Sequence, residues 1–226
     1  MKKKSILCYG DSNTFGYRPT DSGRYPYGVR WTSLLAEGLG EEYQVIEAGL
    51  NSRTTVIDDD LEEDRNGLRT IDVVLEMNWP LDLIILMLGT NDMKVRYQRQ
   101  AKDIASGAAQ IVREIRRRHQ EVHPDWMPRI LLVSPLLIGE ELRDGMSGFS
   151  ESFGGARAYE MSRKLAPLYQ SVAAAEGCSF LDAGQAARTG STDALHLEED
   201  GHRALAAAME RKVREIFLND TAERSE

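Results

Sequence analysis

The sequence is poor in several residue types, and each shortage excludes a class of protein. It holds two cysteines, Cys8 and Cys178, and four histidines in 226 residues. Neither cysteine has a clustered cysteine or histidine partner, so we expect free thiols, no disulfide and no metal site. No apolar run approaches the length of a membrane span, and the stretch after the basic N-terminus is too short for a signal peptide. A cytoplasmic location is therefore predicted.

Positive charge is scarce as well. Lysine and arginine number 28 against 36 aspartates and glutamates, a net charge of −8, so we expect no nucleic-acid partner. The lack of a long apolar run argues likewise against a membrane partner. The one dense basic run, 116–119, is typical of a helix C-terminus, where cations interact favourably with the helix dipole. The hydrophobic fraction of 42% suits a globular protein, and the length predicts one domain over 1–226 with a frayed tail at 219–226.

Short apolar runs alternate with helical patterns along the chain. We predict five strands, at 5–9, 43–47, 83–88, 130–133 and 179–181. Apolar residues at helical spacing predict helices over 31–39, 71–78, 104–115, 161–172 and 205–217. This alternation predicts an α/β fold with a parallel sheet of about five strands and helices on both faces. Two long segments, 17–29 and 136–155, match no regular element, and such loops are usually functional or interfacial.

Polar and glycine-containing segments follow four of the predicted strands. They read Gly10-Asp11-Ser12, Ala48-Gly49-Leu50-Asn51, Gly89-Thr90-Asn91-Asp92 and, in a loop after the fifth strand, Asp193-Ala194-Leu195-His196. Because parallel strands end at one edge of the sheet, we expect these four segments to meet there.

Together these segments offer the groups that acyl transfer from serine requires. Ser12 is the candidate nucleophile, His196 the candidate base, and Asp193 the group that would orient the imidazole. The backbone N–H groups of Ser12 and Gly49 and the amide of Asn91 are the candidate oxyanion donors. The other histidines, His119, His123 and His202, are expected at the surface.

Each feature also has a structural interpretation. Ser12 could cap the helix that follows it, Gly49 could serve a turn, and Asn91 could belong to a capped loop. A phosphate-binding turn at 10–13 is a further alternative, but the turn contains no Lys or Arg, Asp11 would repel a phosphate, and the P-loop pattern is missing. The joint occurrence of these segments in this order favours the catalytic interpretation over a binding module or an inactive scaffold.

The four segments resemble the motifs of the SGNH (GDSL-type) hydrolase superfamily, in family order and across nearly the whole chain. The resemblance implies a three-layer α/β/α sandwich with a flavodoxin-like sheet, no metal and no cofactor. It also implies that Ser12, Gly49, Asn91 and His196 carry the four family roles. Two positions depart from the family pattern: Asn13 replaces a common leucine, and Ala194 stands where many relatives carry glycine.

Further segments resemble the bacterial arylesterase, acyltransferase and perhydrolase branch. They are Val29-Arg30-Trp31, 49–55 and 86–92. This resemblance implies a small-molecule ester substrate, hydrolysis of short-chain aryl or alkyl esters, and acyl transfer to alcohols or peroxide. It also implies a homo-oligomer, for which we predict contacts through 17–29 and 136–155. A carbohydrate O-deacetylase of the same superfamily is the alternative.

The remaining candidates support or surround the nucleophile. Asp11, Arg53 and Asp92 are predicted to hold the turns of the site in place rather than to react. The predicted walls of the substrate pocket are Phe15, Tyr17, Leu136 and Leu137.

Overall fold

Five parallel strands form the sheet on which the rest of the chain is arranged. The computed structural model describes the backbone of residues 3–223 and the side chains of residues 3–218. Its strands are β1 (Lys4–Gly10), β2 (Tyr17–Arg18), β3 (Gly23–Arg24), β4 (Tyr43–Gly49), β5 (Leu83–Met87), β6 (Arg129–Ser134) and β7 (Ser179–Asp182). The large sheet has the order β4-β1-β5-β6-β7, and every neighbouring pair in it is parallel. The strands β2 and β3 form a separate antiparallel hairpin.

Helices cover both faces of this sheet. The long ones are α2 (Trp31–Leu39), α3 (Gly67–Asn78), α4 (Ala101–Val122), α7 (Ala156–Ala175) and α9 (Glu199–Glu223). The one-turn helices are α1 (Ser12–Phe15), α5 (Glu140–Arg143), α6 (Ser150–Phe153) and α8 (Ala183–Ala186). None of the helices in residues 3–223 is both long enough and apolar enough to span a bilayer.

Strand alternation divides the core into two apolar layers. In β1, Ile6 and Cys8 face the layer that contains α2 and α9, whereas Leu7 and Tyr9 face the layer that contains α3, α4 and α7. All four side chains are fully buried. Successive side chains of a strand point to opposite faces, so a strand covered on both sides must be apolar throughout. The predicted three-layer α/β/α sandwich is confirmed, and each predicted strand lies within two residues of its observed ends.

The two segments predicted to lack regular structure contain short elements. The hairpin β2–β3 lies within 17–29, and α5 and α6 lie within 136–155. These elements are one turn or two residues long, so the sequence windows that reveal periodicity do not detect them. The backbone of α9 continues to Glu223, and the frayed tail at 219–226 stays a prediction. The last three residues of that prediction lie outside the described residues.

Two histidines expected at the surface are buried. His202 is fully buried at the start of α9, where its Nδ1 accepts a hydrogen bond of 3.2 Å from the backbone N–H of Trp31. His119 lies beneath the indole of Trp79 with 3.7 Å between ring centroids, and burial lowers its pKa to about 4. Both rings pack in the interior as neutral groups. The polar residues that flank them in the sequence did not indicate this.

Gly49 is required where the end of β4 meets α1. A Cβ at Gly49 would lie 2.6 Å from the Cα of Phe15 and closer still to the Phe15 nitrogen. The obstruction is backbone, so it cannot move aside as the end of a side chain would.

We therefore expect Gly49→Ala to lower the free energy of unfolding by about 1–3 kcal/mol, the usual cost of overpacking. Urea denaturation measures the effect. The matched control is Gly148→Ala, since a Cβ at Gly148 meets nothing within 4 Å, and this change should stay within about 0.5 kcal/mol of the parent. Equal stability of both variants would contradict the packing role of Gly49.

Candidate active site

Ser12, His196 and Asp193 form a continuous line of hydrogen bonds at the carboxyl edge of the sheet. Ser12 Oγ lies 2.8 Å from His196 Nε2, and His196 Nδ1 lies 2.7 Å from Asp193 Oδ2. Because Nδ1 faces a carboxylate, we assign the ring proton to Nδ1, which leaves Nε2 as the acceptor for the Ser12 hydroxyl. This arrangement can take a proton from Ser12 and return it to a leaving group.

The turn after β1 fixes the position of Ser12. Asp11 is the N-cap of α1, and its Oδ1 accepts a hydrogen bond of 3.0 Å from the backbone N–H of Asn13. Gly10 permits the sharp turn, since a Cβ there would overlap Thr14 and the backbone oxygen of Met87. Asp11 therefore caps the helix, as predicted for a residue that holds the turn, and the hydroxyl of Ser12 is left for His196.

The loop 193–196 is closed on itself by the Asp193 carboxylate. Its Oδ1 accepts hydrogen bonds of 2.9 Å from the backbone N–H groups of both Leu195 and His196. Ala194 adopts a left-handed conformation with φ of 57°, which costs an alanine about 1–2 kcal/mol. The glycine common at this position in relatives would adopt this conformation without that cost.

Burial and hydrogen bonding shift the pKa values of the carboxyl groups of the site in opposite directions. Burial opposes ionisation of Asp193, but the hydrogen bonds from His196 outweigh it and hold the pKa of Asp193 below its ordinary value. Burial raises the pKa of Asp92 to about 6 and also raises the pKa of Asp11. Negative charge is therefore favoured at Asp193, next to the imidazole that becomes positive when it accepts a proton.

Asn13 connects the nucleophile helix to both sides of His196. Its Nδ2 donates to the backbone oxygen of Leu195 at 3.3 Å, and its Oδ1 accepts from the backbone N–H of Leu197 at 2.9 Å. The Trp31 indole donates in turn to the backbone oxygen of Asn13 at 3.1 Å. Asn13, which stands where the Gly-Asp-Ser-Leu pattern has leucine, thus holds the loop 193–196 against α1.

Arg53 and Asp92 hold the loops on the opposite side of Ser12. Arg53 Nη1 donates to the backbone oxygens of Gly10 at 2.8 Å and Ala48 at 2.6 Å. Asp92 accepts hydrogen bonds from the backbone N–H and the hydroxyl of Thr55. These contacts match the supporting positions predicted for the two residues.

A cavity of about 280 Å³ opens over Ser12 and His196. One wall is apolar and largely aromatic, and the other carries amide, hydroxyl and charged groups. Its lining residues are Ser12, Tyr17, Asn51, Ser52, Glu62, Asn91, Lys94, Phe149, Phe153, Leu195 and His196. A larger groove of about 480 Å³ between α4 and α7 contains none of these residues, so cavity size alone does not identify the site.

Four of the residues predicted to form the site do not line the cavity. Gly49 lies outside it, packed against the backbone of α1. Phe15 lies beneath the guanidinium of Arg24 rather than over Ser12. Leu136 is buried in the core layer of α2 and α9, and Leu137 lines a separate depression beside Gly184. The side chains of Leu136 and Leu137 thus point into the core and into this depression rather than into the cavity, which periodicity could not reveal.

Other predicted residues do line the cavity, and several lining residues were missed. Tyr17 packs on the His196 ring with 4.4 Å between centroids, as expected for a pocket wall. Asn91 donates one amide hydrogen to the backbone oxygen of Arg53 at 3.1 Å, which leaves its second hydrogen for the cavity. Phe149, from the segment 136–155, lies 5.6 Å from the His196 ring. Its aromatic character in a glycine-rich loop was the available signal.

Ser52 is the missed residue with the clearest geometry. It lines the cavity and has a φ of 63°. The backbone N–H of Arg53 donates to the oxygen of Leu50, so Ser52 is the third residue of a tight turn. A serine in this conformation is strained, and such strain concentrates at functional sites.

Sequence comparison adds to this geometry. Residues 8–204 match the GDSL-like lipase/acylhydrolase family, a range that includes the whole site. The chain belongs to this family. No curated protein matches the sequence.

Solved structures similar to this GDSL-like acylhydrolase include esterases of the SGNH superfamily. A carbohydrate acetylesterase family member from Sinorhizobium meliloti is 42% identical, with a TM-score of 0.86 over 93% of this chain and 97% of that one. The aryl esterase of M. smegmatis is 36% identical, with a TM-score of 0.86 over 94% and 99%. Est24, a carbohydrate acetylesterase from Sinorhizobium meliloti, is 36% identical, with a TM-score of 0.87 over 95% and 100%.

The double contact of Asn13 predicts a specific defect in this acylhydrolase. We expect Asn13→Leu to lower kcat for an aryl acetate at least tenfold and to change KM much less. The leucine leaves a backbone oxygen and a backbone N–H unpaired beside His196, while the cavity walls remain. Steady-state kinetics on 4-nitrophenyl acetate measure both constants.

The control for general destabilisation is Leu75→Ala. Leu75 is fully buried in α3, away from the cavity, and its truncation should cost about 2–5 kcal/mol of stability. We expect this variant to retain kcat at temperatures where it is folded. A kcat of Asn13→Leu equal to that of the parent would refute the positioning role.

Proposed function

We propose that this protein is a serine esterase that hydrolyses short-chain aryl and alkyl esters through an acyl-enzyme. The observation that carries the proposal is the line of hydrogen bonds from Asp193 through His196 to Ser12, with distances of 2.7 and 2.8 Å. A serine hydroxyl is a weak nucleophile, and a positioned base is what activates it.

The reaction follows from this geometry. Ser12 Oγ bonds to the ester carbonyl carbon while its proton passes to His196 Nε2, and the carbonyl π electrons move onto oxygen. The tetrahedral intermediate collapses, the ester C–O bond breaks, and the imidazolium returns the proton to the leaving alcohol. A water or an alcohol then attacks the acyl-enzyme in the same way, which releases an acid or a new ester.

The oxyanion needs donors that are in place before the reaction. We assign the backbone N–H of Ser12, the second amide hydrogen of Asn91 and the backbone N–H of Ser52. Ser52 replaces Gly49 in this role because Ser52 lines the cavity and Gly49 does not. Each such donor is worth about 3–4 kcal/mol of transition-state stabilisation in comparable enzymes.

The size of the cavity supports short acyl groups. Its volume of about 280 Å³ lies at the small end of small-molecule sites, which typically measure about 300–1,000 Å³. Phe149 and Phe153 border this space, and Phe153 is 1% exposed. A long acyl chain would have to displace the buried ring of Phe153 or the partly buried ring of Phe149.

Two variants test the proposed nucleophile and base. We expect Ser12→Ala and His196→Ala to lower kcat for 4-nitrophenyl acetate at least 10³-fold, the scale of loss when a member of such a triad is removed. The assay is run with and without an added alcohol, and formation of a new ester supports acyl transfer. Activity surviving in Ser12→Ala would refute the acyl-enzyme mechanism.

A substrate series tests the proposed acyl preference. We expect kcat/KM for 4-nitrophenyl esters to be highest for acetyl and propionyl and to fall at least tenfold by octanoyl, because the aromatic wall excludes longer chains. Phe149→Ala should move the optimum to longer chains. A rate that rises steadily from acetyl to octanoyl would count against the proposal.

A carbohydrate O-deacetylase is the second candidate. It uses the same chemistry at Ser12, and two of the similar structures carry the name carbohydrate acetylesterase. The polar wall of the cavity, with Asn51, Glu62 and Lys94, favours it. Acetate release from an acetylated sugar, measured beside aryl acetate turnover, separates the two candidates.

Other predictions accompany the proposed function. A single catalytic domain, a cytoplasmic location and a homo-oligomer stay predictions. For the oligomer, the predicted contact segments offer Tyr27 and Met146, which are 64% and 70% exposed.

A further inference from the structure

Lys94 places a charged group without a partner in the wall of the active-site cavity. It is 8% exposed, it lines the cavity together with Ser12, and its Nζ keeps some accessible surface. Throughout the part of the chain that the structure describes, this ammonium group forms no hydrogen bond and no ion pair. An ammonium group largely removed from water without a partner destabilises a protein, so the arrangement points to a ligand that supplies the partner.

A 3₁₀ turn fixes the position of Lys94 relative to the reacting groups. The turn runs over Asn91–Met93, and the backbone N–H of Lys94 closes it by donating to the oxygen of Asn91 at 3.1 Å. Lys94 therefore lies one turn after a residue assigned as an oxyanion donor, a rise of about 6 Å. Its charge is carried on a flexible four-carbon stem, so the ammonium group can contact a substrate that is bound at Ser12.

The charged groups around Lys94 are paired with one another. Asp59 forms an ion pair with Arg96, and Glu62, which also lines the cavity, pairs with Arg65 at 3.1 Å. Burial and, after it, repulsion by Arg96 lower the pKa of Lys94, although both acids oppose this shift. A bound anion would favour the charged form of Lys94 and so offset the effect of burial.

The charge of this wall favours a carboxylate over other substrate groups. One ammonium group balances one negative charge, whereas a phosphate dianion would bring a second charge close to Glu62. A neutral alkyl group would leave Lys94 unpaired. A carboxylate accepts a charge-assisted hydrogen bond, which is shorter and stronger than one between neutral groups. The group that suits Lys94 best is therefore a carboxylate.

We propose that Lys94 binds a carboxylate carried by the ester, so that the preferred substrates are short esters with one negative charge. The inference rests on the proposed ester hydrolysis at Ser12. The carboxylate belongs either to the acyl part, as in a monoester of a dicarboxylic acid, or to the alcohol part, as in the acetate of a hydroxy acid. The carbon chain between carboxylate and ester would lie against Tyr17 and Phe149, which form the apolar wall.

Two matched pairs of esters test the subsite and distinguish the two parts. Methyl hydrogen succinate and methyl succinamate differ in the acyl part, and 4-acetoxybutanoate and 4-acetoxybutanamide differ in the alcohol part. Within each pair a carboxylate is exchanged for an uncharged amide of the same shape. We expect the wild type to prefer the carboxylate in kcat/KM by at least tenfold in one of the pairs, the scale of a hydrogen bond to a charged group. Release of methanol or acetate measures the rates.

Three variants separate the charge of Lys94 from its other contributions. Lys94→Met should reduce the preference by about tenfold or more, and Lys94→Arg, which keeps the charge, should retain most of it. Lys102→Met, at an exposed lysine outside the cavity, should keep the wild-type preference. Lys94→Met should unfold at the same temperature as the wild type or higher, because it removes an unpaired buried charge.

Binding to Ser12→Ala tests the subsite without turnover. By calorimetry we expect one of the two carboxylates to bind at least tenfold more tightly than its amide, and Ser12→Ala/Lys94→Met to lose this difference. Equal affinity within both pairs, a preference that survives in Lys94→Met, or a lower unfolding temperature of Lys94→Met would overturn the subsite. If the wild type hydrolyses no ester while Ser12→Ala still binds the carboxylate through Lys94, the proposed function is refuted and the subsite stands.

Discussion

The hydrogen bond between Ser12 and His196 is the contact on which the site depends, and it joins residues 184 positions apart in the sequence. No local structure can form such a contact. It requires the parallel sheet to be assembled, β1 to end at Gly10 and the loop before α9 to lie against α1. The Asn13 amide fixes that last relation through the backbone on both sides of His196. The sheet therefore provides the common edge, and a few side-chain contacts provide the close positioning that proton transfer needs.

Polar groups behind the nucleophile hold the loops of the site in place through hydrogen bonds. Arg53 spans Gly10 and Ala48, and Asp92 holds Thr55. Burial raises the pKa of both Asp11 and Asp92, because it removes their charged forms from water. The fully bonded carboxylate of Asp193 lies on the far side of the imidazole. The carboxyl groups of the site therefore have different roles: Asp193 pairs with the imidazole, whereas Asp11 and Asp92 hold the backbone of the surrounding loops.

Much of this arrangement could be predicted from the sequence because the relevant signals are local and repeated. Apolar strands such as 83–87 and the segments after them indicated the sheet, its edge and the Ser12, Asn91, Asp193 and His196 positions. The errors have a different physical origin. Gly49 ends β4 and Ser52 lies three residues later in the turn that follows, and only the direction of the chain decides which of them faces the cavity. The burial of His202 depends on contact with Trp31, a partner 171 positions away that no periodicity identifies.

The distance in sequence between Ser12 and His196 also has a consequence during synthesis. The base is synthesised 184 residues after the nucleophile. At a ribosomal rate of roughly 5–20 residues per second, that interval is roughly 10–40 s. During this interval the nascent chain carries a serine without its base. The helix α9 must pack against α2 before the loop 193–196 is held in place. The serine therefore gains its base only after the loop 193–196 has been synthesised and lies against α1.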